Sequence, residues 1–450
     1  MQNKETLNSL WGDIQEKKIS YRSEGERYIV TITDNAPINY NANGNICVFF
    51  VNRACISLYE LLRRYDGDID KIENLLLSAG VPIQEIYRKL EDTLRILNGD
   101  MTHISIDDTE LSHPYFAHID ITSVCNMACV HCLNPSENYQ NDDMDTQKWL
   151  DAIDQFSRLG ISVLWIGGGE PLLRKDLPLI LSHAKSHQMR IVLASNGVML
   201  DQDQAEQLAP LIDELTICLD GSTAEIHGYL RKPQNMFDVI THNIRTAVPL
   251  MHQHQCLVKI FTCVARHNLD DIPNIIDLSS QLGADSWACQ TFVPMNRGAN
   301  FLDQVLTCEM REKLAVYIEN KVKEYKGRMC VQYYVPLMTM KKMYSHPKME
   351  CAAGNAILYV SSNGDVYPCS RLIFPPFLVG KIWDLDLEKS WISHPVFKQF
   401  RNISYAGTAC ASCEYFQQGM CNGGCKAEKY RAYASLFDKP DPSCGFAPHG

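Results

Sequence analysis

Three cysteines crowd into eight residues as Cys125-x3-Cys129-x2-Cys132. Thiolates bind metal, and three of them on one short loop can wrap a single cubane iron–sulfur cluster. The fourth iron then has no protein ligand and is open to a small molecule. A zinc loop is the other reading, with His131 as a ligand, although structural zinc takes a complete local set of four. A second set is Gly167-Gly168-Gly169-Glu170-Pro171. Its glycines let a ligand approach the backbone, and Glu170 offers a carboxylate to an ammonium group. No Gly-Lys-Ser/Thr follows, so it is not a phosphate loop. A third set is Ser195-Asn196-Gly197, Asp220-Gly221 and Arg231; taken singly, each polar residue reads as a turn former. The fourth is Cys351-x12-Gly364-x4-Cys369, then Cys410-x2-Cys413-x7-Cys421-x3-Cys425, then Cys444. A zinc-ribbon-like domain is its structural reading. Cys218, Cys256, Cys263, Cys289, Cys308 and Cys330 stand singly in apolar segments and read as small buried hydrophobes.

These sets take their meaning from the elements between them. Strands are expected at His118–Thr122, Ser162–Ile166, Arg190–Ala194, Glu214–Leu219, Leu257–Val264 and Ser286–Phe292, alternating with amphipathic segments. Six strand-then-helix units imply parallel strands with right-handed crossovers. The expected fold is α/β, a partial (β/α)6 barrel over 112–335. Strand C-terminal ends share one face of a barrel, so the three cysteines, Glu170, Asn196 and Asp220 converge on one mouth. Residues 1–105 read as a winged-helix-like α+β module, with strands at 28–32 and 46–50 and three helices after them. The third helix carries Ile83, Ile86, Tyr87, Leu90, Leu94 and Leu97 on one face, between Pro82 and Gly99. Residues 345–450 read as a small loop-rich domain held by metal, because its core would be thin.

Cys-x3-Cys-x2-Cys after the first strand, with Gly-Gly-Glu-Pro after the second, resembles the radical S-adenosylmethionine enzymes. The resemblance implies a [4Fe–4S] cluster on Cys125, Cys129 and Cys132. Its open iron would chelate the amino and carboxylate groups of the methionine moiety. Gly168, Gly169 and Glu170 match the segment at the methionine amino group, and the His131 backbone the adenine contact. Ser195, Asn196, Asp220 and Arg231 match ribose and carboxylate contacts. One-electron reduction, from a donor such as flavodoxin or ferredoxin, would release a 5′-deoxyadenosyl radical that abstracts a substrate hydrogen.

The C-terminal cysteines resemble the SPASM domain, which carries two auxiliary [4Fe–4S] clusters and so implies three clusters in all. That likeness assigns Cys410, Cys413, Cys421 and Cys444 to an outer cluster and Cys351, Cys369 and Cys425 to an inner one. The family usually has five residues where this chain has seven, between Cys413 and Cys421. Seven ligands leave one position unfilled: either Cys330 reaches the inner cluster, or that cluster has an open iron for a substrate thiolate. The N-terminal module resembles the PqqD-like peptide-recognition element, on its strand pair, the run Asn52–Leu62 and Gly67-Asp68-Ile69-Asp70. A structural cap on the barrel is the alternative reading.

At 450 residues, about three domains are expected. The chain is 46% hydrophobic and 21% charged, as in an ordinary globular protein. A net charge of −11 argues against a nucleic-acid binder, and no apolar run is long enough for a membrane span. The start, Met1-Gln2-Asn3-Lys4-Glu5, leads into no apolar stretch, so no secretory signal is expected and the cytoplasm is the expected compartment. The expected function is maturation of a ribosomally made precursor peptide. Its leader would be held by the N-terminal module, and the product would be a crosslink such as a Cys thioether. Carbon–carbon crosslinking or another peptide oxidation, action on a folded protein or a tetrapyrrole, and a zinc scaffold without activity are the rivals. Ser370 after Cys369 is no acid, and no catalytic base is evident.

Overall fold

A computed structural model describes residues 2–15, 17–24, 27–34, 46–97, 113–133, 142–334, 351–417, 421, 423–442 and 444. The chain divides into two compact units, residues 1–109 with 341–348, and residues 110–340 with 349–450.

The first unit runs α1 (Gln2–Gln15), β1 (Lys17–Glu24), β2 (Arg27–Asp34), β3 (Ile46–Asn52), α2 (Arg53–Arg64), α3 (Ile69–Ser78) and α4 (Ile83–Leu97). The strands form an antiparallel sheet in the order β1-β2-β3. Leu7, Trp11 and Ile14, at i, i+4 and i+7, turn one face of α1 into the core with Val30, Leu62, Leu90 and Leu94. Asp68 caps α3, its carboxylate accepting from the Lys71 amide at 3.1 Å. The expected strand pair and three helices are present. α1 and β1 come in addition. The turn between β2 and β3 and the stop at Gly99 lie outside the described residues.

The second unit is built on one sheet. In chain order it holds β4 (Phe116–Asp120), α5 (Thr146–Arg158), β5 (Val163–Gly167), α6 (Leu177–Ser186), β6 (Arg190–Ser195), α7 (Gln202–Leu208), β7 (Glu214–Cys218), α8 (Ala224–Leu230), α9 (Phe237–Gln253), β8 (Leu257–Val264), α10 (Ile272–Gln281), β9 (Ser286–Thr291), α11 (Cys308–Glu324) and β10 (Cys330–Tyr334). It continues with β11 (Ile357–Val360), β12 (Asp365–Tyr367), β13 (Gly380–Lys381), α12 (Leu387–Ser393), α13 (Pro395–Arg401), α14 (Glu414–Gln417) and α15 (Lys426–Tyr433).

Strands β4 to β10 are parallel and neighbour one another in chain order. That order is the mark of barrel winding; a doubly wound sheet reverses direction midway. The six expected strands are present and β10 is a seventh. The sheet does not close: β11 pairs in parallel with the free side of β4, and β12 and β13 follow antiparallel. The cysteine-rich segment therefore grows from the edge of the barrel sheet and shares its core, which removes the problem of a thin core of its own.

Alternate strand residues set the two faces. Ile119, Ile166, Leu193, Ile217 and Ile260 join Trp149, Phe156, Ile180 and Ile244 from the helices in one continuous core. The residues between them are more polar. Near the strand starts, Arg190 and Lys259 both pair with Glu214 across β6, β7 and β8, with Arg190 Nη2 at 3.2 Å. Burial opposes ionisation of Glu214, yet the two cations hold it below the ordinary carboxylate range. Among the described residues no helix is long and apolar enough to cross a membrane.

Candidate active site

The polar sets meet at the C-terminal ends of the strands. A cleft of about 180 Å³ is lined by Cys125, Met127, Cys129, His131, Cys132, Gly167, Gly168, Gly169, Ala194, Ser195, Asn196, Cys218, Arg231 and Arg297. The cysteine loop is held there by its neighbours. Ala128 N donates to Lys232 O at 2.8 Å and Val130 N to Leu230 O at 2.9 Å, which ties the loop to the end of α8. Asn196 Nδ2 donates to Asn126 Oδ1 at 2.7 Å, inside the loop.

The glycines serve the chain itself. Gly169 N donates to Thr122 O at 2.7 Å and Glu170 N to Val124 O at 2.8 Å. A Cβ at Gly168, where φ is +133°, would sit 2.4 Å from Thr122 O, and one at Gly169 would sit 2.1 Å from Val124 O. Only glycine lets the end of β5 lie this close to the segment that launches the cysteine loop.

Glu170 is fully buried and is not among the residues lining the cleft. Its Oε1 accepts from Ser195 Oγ at 2.8 Å and Leu172 N at 3.1 Å, and its Oε2 from Asn196 N at 2.7 Å. Burial pushes its pKa up against these donors. The carboxylate thus joins the end of β5 to the end of β6, and the side the cleft sees is the Gly167–Gly169 backbone.

Asp220, also fully buried, organises the far side. Its Oδ2 accepts from Arg231 Nε at 2.6 Å and lies 3.4 Å from His131 Nε2, and its Oδ1 accepts from Cys263 N at 2.7 Å. Burial opposes ionisation, but the Arg231 guanidinium above all holds Asp220 below the usual carboxylate range. Arg231 Nη1 reaches Cys129 Sγ at 3.8 Å, so the guanidinium bridges carboxylate and thiol. Burial lowers His131 to about 4, leaving it neutral, and its Nδ1 has no partner.

Sequence reasoning missed Arg297, Cys218 and Asn126. Arg297 follows the end of β9 and donates to Cys129 O at 3.5 Å; the strand-end logic that found Asn196 would have found it. Cys218 ends β7 and lines the cleft, whereas Cys256, Cys263 and Cys289 are buried hydrophobes as expected.

The C-terminal cysteines fall into two groups. Cys410, Cys413, Cys421 and Cys444 lie within electrostatic reach of one another, as do Cys351 with Cys369 and Cys425. The two groups meet at α15. Cys425 is its N-cap, Lys429 is fully buried beside Cys410 and Cys421, and Glu428 pairs with Arg371 at 3.7 Å next to Cys425. Cys330 lies elsewhere. It opens β10, with Lys259 and Glu214 as its charged neighbours, and β10 is the far edge of the sheet from β11.

Among the described residues no three sulfurs of one cysteine set all lie within 4.8 Å of one another. Lys429 Nζ is buried without a hydrogen-bond partner, over the Tyr405 ring at 5.2 Å from its centroid. Cys410, Cys421 and Asp441 are the groups of negative charge beside it.

The chain matches the radical SAM superfamily over residues 119–279 and SPASM, an iron–sulfur cluster-binding domain, over 351–414. It is 30% identical over 329 residues to mycofactocin maturase MftC of Mycolicibacterium smegmatis, covering 72% of this chain and 81% of that one. It is 28% identical over 346 residues to an AdoMet-dependent heme synthase of Methanosarcina barkeri, covering 73% and 95%. Its fold matches Streptococcus suis SuiB bound to S-adenosylmethionine with a TM-score of 0.69 at 15% identity, over 95% of this chain and 99% of that one. The same protein bound to its precursor peptide SuiA matches with a TM-score of 0.67 at 14% identity, over 96% and 100%. A cleft lined by Cys125, Cys129 and Cys132 thus stands where the family match runs, and a relative at 30% identity is spanned over most of its length. The chain belongs to the radical SAM superfamily and carries a SPASM iron–sulfur cluster-binding domain.

Proposed function

We propose that this protein is a radical S-adenosylmethionine maturase that crosslinks a ribosomally made peptide. The observation that carries the reading is the convergence of three thiols, the Gly167–Gly169 backbone, Asn196 and Arg231 on one cleft. The fold likeness to a maturase crystallised with its precursor peptide supports the substrate class.

Cys125, Cys129 and Cys132 hold a [4Fe–4S] cluster, with S-adenosylmethionine beside it. When bound there, the pair supplies a 5′-deoxyadenosyl radical that takes a hydrogen atom from a substrate carbon. The chain's own residues bind and orient. The Gly167–Gly169 backbone offers close approach to the methionine end, and Glu170 keeps that backbone in place through Ser195 and Asn196. Arg231 sets a positive charge beside Cys129, and Asp220 neutralises what would otherwise be a lone buried cation. The neutral His131 brings no competing charge.

Cys410, Cys413, Cys421 and Cys444 hold an outer auxiliary cluster, and Cys351, Cys369 and Cys425 an inner one. With Cys330 at the other sheet edge, only Cys351, Cys369 and Cys425 would hold the inner cluster, which could then bind a substrate thiolate and accept the electron left when a carbon–sulfur bond forms, favouring a Cys thioether product. The leader binds the first unit by strand addition, since β1 and β3 are edges of the described sheet. An electron donor of the flavodoxin or ferredoxin type supplies the reducing equivalent.

The test is anaerobic turnover with a Cys-containing precursor peptide. The peptide should emerge two hydrogens lighter as 5′-deoxyadenosine accumulates. Cofactor cleavage with every candidate peptide left at unchanged mass would sink the reading. Removing residues 1–105 should abolish peptide turnover and spare slow cofactor cleavage. Undiminished substrate turnover would point to a folded protein or a tetrapyrrole.

A further inference from the structure

Three metal-ligating side chains meet where α5 and α6 pack together, away from every cysteine set. His183 lies in the last turn of α6 and His187 is its C-cap. Four residues apart, they leave the same face of the helix. Their Nε2 atoms lie 2.7 and 2.9 Å from one oxygen, Oδ1 of Asp154 on α5. The two rings stand edge to face with centroids 4.9 Å apart. Among the described residues this is the only trio of His, Cys, Asp or Glu whose ligand atoms all lie within 4.8 Å of one another.

The geometry is that of a site already gathered. Zinc bonds of about 2.0–2.1 Å to nitrogen and oxygen place donors roughly 3.3 Å apart, so both nitrogens need move only about half an ångström from the Asp154 oxygen, and the trio already lies within 4.8 Å. Two imidazoles, a carboxylate and an open position make a donor set that zinc takes, and that Fe²⁺ takes as well, so metal-specific uptake must separate them. Among the described residues the ion-pair partners of Asp154 are these two imidazoles, so no described Lys or Arg must be displaced. The carbonyls at the end of α6 add partial negative charge. All three side chains are part-exposed, at 28% for His183, 29% for His187 and 39% for Asp154, which gives the ion a way in.

We propose that Asp154, His183 and His187 form a Zn²⁺ site whose fourth position is open to water, and that the ion clips α5 to α6. It is separate from the cleft. His187 lies just before β6 begins at Arg190, while Ser195 ends that strand. Six strand residues at about 3.3 Å each put roughly 20 Å between the two. The strand-start end of a barrel serves stability, and a clamp is the role the site fits.

The test uses cluster-loaded enzyme, washed with a mild chelator and equilibrated anaerobically with micromolar Zn²⁺. The wild type should retain one zinc per chain beyond its iron, and its Tm should rise by several degrees. Zinc-edge X-ray absorption should show nitrogen and oxygen neighbours at about 2.0–2.1 Å and no sulfur shell near 2.3 Å. His183→Gln with His187→Gln should abolish both uptake and the Tm shift, leaving iron content and cofactor cleavage at wild-type levels. Asp154→Asn, which preserves size, should weaken zinc retention at least tenfold and serves if the double variant misfolds. A sulfur shell, equal uptake by the variants, or no uptake by the wild type would each overturn the proposal.

Discussion

Asp220 gathers the buried polar groups behind the cleft. It faces Arg231, His131 and the Cys263 amide at once, and it is fully buried. Asp220→Asn leaves Arg231 as an uncompensated buried cation, which should cost about 3–5 kcal/mol of stability. Thermal denaturation checks this, and cofactor cleavage should fall with it. The two neighbouring imidazoles set an acid limit. Burial lowers His131 and His227 to about 4, while the unfolded chain protonates near 6.5. Between those values the unfolded state binds more protons, so stability is full above about 6.5 and falls as pH drops toward 4. The Tm of wild type should therefore fall from pH 7 to pH 5, and less steeply in His227→Gln. On the C-terminal side, Lys429→Met removes a buried positive charge beside Cys410 and Cys421. It should lower the midpoint potential of the outer cluster by something on the order of tens of millivolts. An EPR-monitored redox titration reads this directly, and an unmoved potential at unchanged iron would show that Lys429 pairs with something else.

At the scale of elements, the decisive join is between the end of β5 and the segment that launches the cysteine loop. Gly169→Ala places a Cβ against the Val124 carbonyl, where no side chain can yield because the clash is with backbone. The loop must shift, so about four of the roughly twelve irons expected from three cubanes should be lost, with the C-terminal clusters intact. Iron and sulfide analysis decides it. α15 plays the matching role on the other side. Gly423 and Gly424 turn the chain from Cys421 to Cys425, and their missing Cβ atoms make room for Tyr405 and Asp441. Asp441 in turn accepts from Cys425 N at 2.8 Å. Much of this was readable before folding. The β-branched runs that mark β4 to β9 lie in a periodic pattern that burial against helices enforces. β10 escaped notice because its five residues, ending in two tyrosines, carry no such pattern. α1 escaped although its apolar residues recur at helical spacing.

For the whole molecule, one sheet joins the radical and cysteine-rich regions, because β11 extends β4 and both rest on one hydrophobic core. Metal analysis of anaerobic protein should give about twelve irons with matching sulfide and, if the α5–α6 site is filled, one zinc. About four irons would leave the cleft standing and remove the two auxiliary clusters. Cluster chemistry was legible in the chain because ligand spacing is local: three thiols within eight residues need no tertiary contact to declare themselves. Parallel strands followed from the alternation of strand and helix, but right-handed crossovers serve a barrel and a doubly wound sheet alike, so the unbroken order of β4 to β10 waited for the fold. Other features waited for the fold. Only the fold shows that Glu170 is fully buried and accepts from Ser195, Asn196 and Leu172. Lys429 reads as one more helix lysine until it is seen buried over the Tyr405 ring without a hydrogen-bond partner. The Asp154 site joins residues 29 and 33 positions apart. Long-range pairing of buried polar groups depends on which surfaces meet, and residue type along a chain does not encode that.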